Sequence, residues 1–286
     1  MSRPVPESLR NLCTVMQSFA ASARQGIAGT LLLVLLSACA SGPVDGPPRS
    51  APDALPPDAV PRQEPRSRYG NGPVYEVFGH RYVVMDSSLG YRERGVASWY
   101  GQKFHGRPTS SQEPYDMHAM TAAHKTLPLP TYVRVRNLRN GKSVVVRVND
   151  RGPFVDNRII DLSYAAAQHL DMVQDGTSLV EVTALGYDEA ESVQLRANKP
   201  DAPRETAEDR RIFVQVGAFG DVVNARRRYA TLRDSGIGPT FVHEDTARSP
   251  ALYRVRIGPI AGVTEYDSIV ARLRRLGISE THLVTE

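Results

Sequence analysis

Four ionisable side chains in the middle of this 286-residue chain have the makings of acid–base chemistry: Glu113, Asp116, His124 and Asp150. A carboxyl group works as a proton donor near neutral pH only when apolar surroundings or a neighbouring negative charge raise its pKa. Asp150 has the most unusual setting. Val144, Val145, Val146 and Val148 form a β-branched run of the kind that builds a buried strand, and Asn149 and Asp150 end it. Arg151 and the turn pair Gly152-Pro153 follow at once. A carboxylate so placed is held rigidly at a strand tip. Glu113 and Asp116 lie in a polar, turn-rich stretch after Gly106-Arg107-Pro108-Thr109, and His124 follows Thr121-Ala122-Ala123. Linear spacing does not bring the four together. Taken singly, each also suits a surface group or a satisfied turn residue, and Asp150 suits a turn cap.

Other chemistries find less support. His105, His118 and His124 with Asp116 do not have the spacing of a zinc site such as HExxH, so no metal is expected. No GxSxG elbow supports a nucleophilic serine. The only cysteines are Cys13 and Cys39, with neither zinc-finger nor CxxC spacing. No cofactor is expected. The formal charge of +4 and the absence of a long Lys/Arg block argue against nucleic acid, and Arg226-Arg227-Arg228 suits the solvated face of a helix.

The elements that must position these groups fall into two folded regions. Residues 73–187 alternate short apolar runs with turn signals. Val96–Tyr100 reads as a strand, Tyr132–Arg136 and Val144–Val148 as a hairpin around Asn140-Gly141, and Ile159–Leu162 and Val180–Val182 as further strands. Ser163 is placed to cap a short helix over Tyr164–Leu170. Many short strands with a small helix predict a compact barrel. Residues 188–210 are polar and read as a linker. Residues 211–286 predict strand 212–219, helix 222–234, strands 240–242 and 253–257, helix 266–276 and strand 282–284, the βαββαβ order of a ferredoxin-like domain. The fold class is thus mainly β followed by α+β.

The N-terminal region is of another kind. Arg24 precedes the apolar run Leu31–Leu36, which is short for a membrane span and suits a secretory signal over residues 1–38. It ends Leu36-Ser37-Ala38-Cys39, which resembles the bacterial lipobox and implies a lipid on Cys39. Nine of the chain's prolines lie between Pro43 and Pro73, so residues 39–72 read as an extended tether that reaches on the order of 90 Å.

Denser motifs lie within the first folded region. Gly95-Val96-Ala97-Ser98-Trp99-Tyr100-Gly101, Phe104-His105-Gly106-Arg107-Pro108-Thr109, Thr121–Pro128 and Val148-Asn149-Asp150-Arg151-Gly152-Pro153-Phe154 resemble the rare lipoprotein A family of bacterial cell-envelope proteins. Phe213–Phe219, Asn224-Ala225 and Tyr253–Pro259 resemble the sporulation-related repeat (SPOR) domain. The resemblance implies a six-stranded double-psi β-barrel followed by a domain that binds peptidoglycan glycan strands stripped of their stem peptides.

It also implies a lytic transglycosylase, which cleaves the β-1,4 bond between N-acetylmuramic acid and N-acetylglucosamine without water and leaves a 1,6-anhydro end. On that reading Asp150 is the acid and then the base, and His124 orients it or shares its proton. Glu113 and Asp116 are like-charge neighbours or sugar contacts. Arg151 is expected to point away, toward a structural carboxylate. Tyr100, Gln215, Tyr253 and Arg254 are expected to touch the glycan.

The family commonly has Ala-Asn-Gly-Glu where this chain has Ser110-Ser111-Gln112-Glu113, and the Asn-Gly turn needs a positive φ that Gln accepts poorly. The resemblance implies the envelope of a Gram-negative bacterium. Ala40, in place of the aspartate that commonly retains lipoproteins at the inner membrane, leads us to expect the periplasmic face of the outer membrane, and the accumulation of stripped strands at division sites leads us to expect the division septum and divisome partners. The rival from another class is a non-catalytic peptidoglycan-binding scaffold, and a more distant one is a hydrolase.

Overall fold

The computed structural model describes residues 46–48, 54–155, 157–186, 211–246 and 250–286. The expected signal segment, Cys39 and the 188–210 linker lie outside the described residues. No helix among the described residues is long and apolar enough to cross a membrane.

A small hairpin, β1 (Val74–Val77) and β2 (His80–Val83), precedes the barrel. The barrel comprises β3 (Arg92–Tyr100), β4 (Thr121–His124), β5 (Thr131–Asn137), β6 (Ser143–Asp150), β7 (Arg158–Ser163) and β8 (Thr177–Ala184), with helix α1 (Tyr164–His169) between the last two. The closed order is β3-β7-β4-β6-β5-β8. The pairs β3–β7 and β4–β6 are parallel and all others antiparallel. This is the double-psi type of six-stranded barrel.

The residues explain the elements. Val144, Val145, Val146 and Val148 are all essentially buried, so β6 is covered on both faces, as its unbroken apolar run requires. Each such side chain contributes about 1.5–3 kcal/mol of burial. Asn140-Gly141 makes the turn from β5 to β6, with Gly141 at φ +74°. Ser163 caps α1 by accepting a hydrogen bond from the Ala166 amide. β3 and β7 approach so closely that a Cβ on Gly95 would lie 2.6 Å from Ile159 Cγ2, which excludes a larger residue there.

The second domain has β9 (Ile212–Phe219), α2 (Val222–Asp234), β10 (Thr240–Asp245), β11 (Leu252–Ile257), α3 (Val263–Arg275) and β12 (His282–Thr285). Its antiparallel sheet has the order β10-β11-β9-β12, with both helices packed on one face. The βαββαβ reading of the sequence is what the structure has.

The hairpin β1–β2 and strand β4 are elements that the sequence pattern did not reveal. The tether also differs from its expected extent. From Pro56 to Asn71 the chain lies on the barrel as a strap. The Ala59 amide donates to the Val145 carbonyl at 3.0 Å, and the Ser67 amide to the Leu129 carbonyl at 2.8 Å. Asn71 exchanges two hydrogen bonds with the Leu129 backbone. Glu64 accepts from Arg147 and from the Tyr132 hydroxyl. A Pro-rich composition signals an extended chain, and an extended chain is also what a strap needs.

Candidate active site

Strand register brings the reactive groups together. Ser98 on β3 pairs with Asp161 on β7, Asp161 pairs with Ala123 on β4, and Ala123 pairs with Asp150 on β6. One row across four strands therefore reads Ser98, Asp161, Ala123, Asp150. All four line a cleft of about 780 Å³, which Trp99, Tyr100, Phe104, Arg107, Phe154 and Arg158 also border.

A β-bulge sets Asp150 in this row. Ala122 pairs with Val148, but Ala123 pairs with Asp150, so Asn149 is an extra residue on β6. Bulges of this kind re-aim the following side chain. Without the extra residue, Asn149 would face Ala123. The break in the valine run thus places a carboxylate on the floor of a cleft.

Asp150 is held from one side. Its Oδ1 accepts from the Ser110 amide at 2.7 Å, the Ser110 hydroxyl at 2.6 Å and the Arg151 amide at 2.7 Å. Its Oδ2 has no hydrogen-bond partner among the described residues. Ser110 belongs to the Ser110-Ser111-Gln112-Glu113 stretch. The tight turn survives there because Gln112 itself adopts φ +68°. Backbone strain at Gln112 takes the place of the freedom of glycine.

Arg151 points away from the carboxylate, as expected, but not toward another carboxylate. Its guanidinium donates to the carbonyls of Gly70 at 2.8 Å, His124 at 3.1 Å and Leu127 at 2.6 Å, and lies over the Tyr75 ring. It ties the strap, the β4 end and β6 into one frame.

His124 does not share a proton with Asp150. Its ring is buried, and Nδ1 accepts the amides of Thr126 at 3.2 Å and Leu127 at 3.0 Å. That assigns the ring proton to Nε2, which donates to the Tyr91 hydroxyl at 2.7 Å. Tyr91 in turn donates to Glu93. Burial, with the charges of Arg151 and Lys125, pushes the imidazole down to about 3. It is a neutral brace. Its turn carries carbonyls that hold Arg151, the residue after Asp150.

Glu113 and Asp116 are not the like-charge neighbours expected. Glu113 accepts from Arg147 at 2.7 and 3.0 Å and from the Asn149 side chain at 2.9 Å. Burial raises its pKa, but these hydrogen bonds outweigh it and hold the carboxyl below its usual range. It fixes the bulge residue from the side. Asp116 is exposed and caps its own turn, accepting from the His118 amide at 2.9 Å.

The neighbouring carboxylate is Asp161, which sequence reasoning missed. Its Oδ1 accepts from the Ser98 hydroxyl. Burial raises its pKa; Ser98, Arg158 and Lys125 oppose this, and the charge of Asp150 adds to the rise. One signal was available: Asp161 interrupts the apolar strand Ile159-Ile160-Asp161-Leu162 much as Asp150 ends the valine run.

Tyr100, expected to touch the glycan, borders the cleft and is buried. It is stacked on Tyr115 at 4.0 Å between ring centroids, and burial together with Tyr115, Asp150 and Asp161 pushes its hydroxyl well up.

In the second domain Gln215 pairs in register with Arg256 on the sheet face away from the helices, but it is only 8% exposed. Arg254 is ion-paired with Asp245. Tyr253 packs against the helix-side core with Val255 and Ile257, so it does not present its ring on the face that carries Gln215. Alternation along β11 decides this, since residues two apart share a face.

Comparison with known proteins gives the same two-part division. Residues 92–182 match the family described as lytic transglycolase, and residues 208–283 match the SPOR domain. The chain is 38% identical over 264 residues to the endolytic peptidoglycan transglycosylase RlpA of Vibrio cholerae, covering 89% of this chain and 95% of the relative. It is 34% identical over 322 residues to the protein of the same name from Pseudomonas aeruginosa, covering 89% and 94%. Among solved structures, the SPOR domain of RlpA from Pseudomonas aeruginosa is 29% identical, covering 26% of this chain and 96% of that one with a TM-score of 0.24.

Proposed function

The chain belongs to the RlpA family of endolytic peptidoglycan transglycosylases, and from that premise we propose that it cuts peptide-stripped glycan strands in the cleft floored by Asp150. The carrying observation is the geometry of that carboxyl. Three donors fix Oδ1, Oδ2 has no partner among the described residues, and Asp150 lines the cleft. The reaction needs a group that takes the proton of the N-acetylmuramic acid C6 hydroxyl as its oxygen attacks C1. It also needs a proton for the departing oxygen of N-acetylglucosamine. Asp150 is the group placed to serve the C6 hydroxyl. Holding the sugar's own hydroxyl against C1 makes the attack intramolecular, which favours the anhydro ring over hydrolysis.

The rest of the cleft fits a sugar chain. Trp99, Tyr100, Phe104 and Phe154 offer apolar faces, and Arg107 and Arg158 offer donors for hydroxyl, amide and lactyl oxygens. Glu113 acts through Arg147 and Asn149, and His124 through the turn that seats Arg151. The C-terminal domain holds the strand on the sheet face away from its helices, which carries Gln215 and Arg254. Leu36-Ser37-Ala38-Cys39 supports a lipid anchor, and Ala40 in place of an aspartate supports the outer membrane. Preference for stripped strands supports enrichment at division sites and contact with division proteins.

The test is a digestion. The full chain and its Asp150→Asn form are incubated with peptide-stripped peptidoglycan, and the products are weighed by mass spectrometry. Anhydro-ended fragments from the native chain alone are expected. Reducing-end fragments, heavier by one water, identify a hydrolase. Strands bound by the native chain but never cut would leave a binding scaffold.

A further inference from the structure

The cleft has a second carboxyl group, for which the function proposed above leaves an open task. We propose that Asp161 is a second catalytic residue, the general acid that protonates the departing oxygen, while Asp150 takes the proton of the attacking hydroxyl. This rests on the transglycosylase reading of the cleft.

Register gives the first argument. Ala123 pairs with Asp150 on one side and Asp161 on the other, so the two carboxylates flank one small residue. Two strand spacings separate their backbones by roughly 9–10 Å. That distance lets both side chains lean toward one face of a sugar lying over Ala123, the β face of C1 on which O4 leaves and O6 attacks. The turn after Asp150 leaves the same space clear. A Cβ on Gly152 would lie 3.7 Å from Ala123 Cβ and 3.8 Å from Asp161 Oδ2, and Gly152 has none.

Hydrogen bonding gives the second. Asp161 Oδ1 is fixed by Ser98, and Oδ2 has no partner among the described residues. It mirrors Asp150, with one oxygen held and one free. A merely structural carboxylate at this depth would be expected to use both oxygens.

Electrostatics assigns the roles. Burial, with the charge of Asp150, raises the Asp161 pKa against the pull of Ser98, Arg158 and Lys125, the direction an acid needs. Pairs of carboxyls whose surroundings hold one of them neutral divide acid and base work in this way.

The step balances. The Asp161 proton passes to O4 of the leaving N-acetylglucosamine as the C1–O4 bond breaks. O6 of the N-acetylmuramic acid forms the new C1–O6 bond, and its proton passes to Asp150. Product release leaves Asp161 ionised and Asp150 protonated. The proton returns across Ala123 through solvent in the opened cleft, and no water is consumed.

The test uses two substrates with the full chain. One is the natural stripped strand. The other is a short glycan whose terminal N-acetylmuramic acid carries 2,4-dinitrophenolate as leaving group, which needs no proton. Asp161→Asn is expected to lower kcat/KM on the natural strand by about 10²–10⁴-fold and to stay within about tenfold of wild type on the activated one. Asp150→Asn is expected to lose both, because O6 still needs a base. Asp161→Asn acting like wild type on natural strands, or losing both substrates equally while its melting temperature is unchanged, overturns the proposal.

Ser98→Ala is the second variant, which decides the matter if Asp161→Asn does not fold. It removes a donor that stabilises the Asp161 carboxylate, so the alkaline limb of kcat/KM moves to higher pH; an unmoved limb counts against the assignment. A native chain that forms no anhydro product from either substrate refutes the transglycosylase reading itself, which is a different result.

Discussion

Because His124 is buried as a neutral imidazole, acid should destabilise this protein through that one ring, by an amount the structure sets. The unfolded imidazole takes its proton at about 6.5. The folded ring resists until about 3, because it is buried beside Arg151 and Lys125 and because two amides already occupy Nδ1. Below pH 6.5 the unfolded chain therefore binds a proton that the folded chain does not, and stability falls as pH falls. The slope approaches roughly 1.4 kcal/mol per pH unit once the unfolded ring is mostly protonated, so the loss between pH 6.5 and 4.5 is about 2.3 kcal/mol.

His124→Asn removes this term. Its Oδ1 sits near the place of Nδ1 and can accept the same amides, while the bond to Tyr91 is lost. At pH 7 the variant should be less stable by about 1–2 kcal/mol. Its deficit should vanish by about pH 5, since it lacks the acid-driven loss. The assay is urea unfolding followed by the fluorescence of Trp99, the only tryptophan, at intervals between pH 4.5 and 7.5. Every other titrating group is common to both chains and cancels in the difference. Parallel pH profiles for the two chains, or an imidazole that titrates near 6.5 by NMR in the folded protein, would refute the reasoning.

Two further outcomes follow from the same frame. Arg147→Met should destabilise by roughly 1–3 kcal/mol at pH 7, since it leaves Glu64 and Glu113 facing each other. Solvent at Glu113 keeps the value at that level. Both glutamates are held below their usual range in the native chain, so this contribution is present above about pH 4.5 and fades as they protonate; urea midpoints at pH 7 and 3.5 measure it. Gln112→Gly should stabilise by roughly 0.5–1 kcal/mol, because φ +68° costs a side-chain-bearing residue more than glycine loses in entropy; a thermal melt checks it.

Much of the fold was legible because it rests on local patterns. The valine run, Asn140-Gly141, Ser163 and the two long helices each carry a short-range signal, and each appears where that signal puts it. Strand β4 does not. Thr121-Ala122-Ala123-His124 has no alternation to mark it, and it is a strand because β6 and β7 close on either side. The site was legible only in part for the same reason. Asp150 announces itself by ending an apolar strand, but the bulge at Asn149 is a relation between two strands. Asp161 joins the cleft through its register with Ala123. Only the family resemblance implied Glu113 beside Asp150, as a like-charge neighbour or sugar contact; Arg147, hidden inside the valine run, captures it. His124 looked like a proton carrier by type, and only the burial of its ring shows it to be a brace.

The strap has a mechanical meaning. A segment bonded to a barrel at successive points is peeled from its free end, one contact at a time, when that end is pulled. From the N-terminal side the order is Pro56 on His169, Ala59 on Val145, Glu64 on Arg147, then Ser67 and Asn71 on Leu129. If Cys39 carries a lipid and the C-terminal domain grips the wall, a widening gap between membrane and wall pulls on that end. Peeling as far as Glu64 would leave Arg147 to Glu113 alone, and Glu113 holds the bulge residue beside Asp150. Tension would then reach the cleft before the barrel opened. Pulling the chain by its two ends in an optical trap, with Glu64→Gln for comparison, would show it as an early low-force step that the variant weakens. A single rupture of the whole barrel, alike in both chains, would show that the strap bears no separate load.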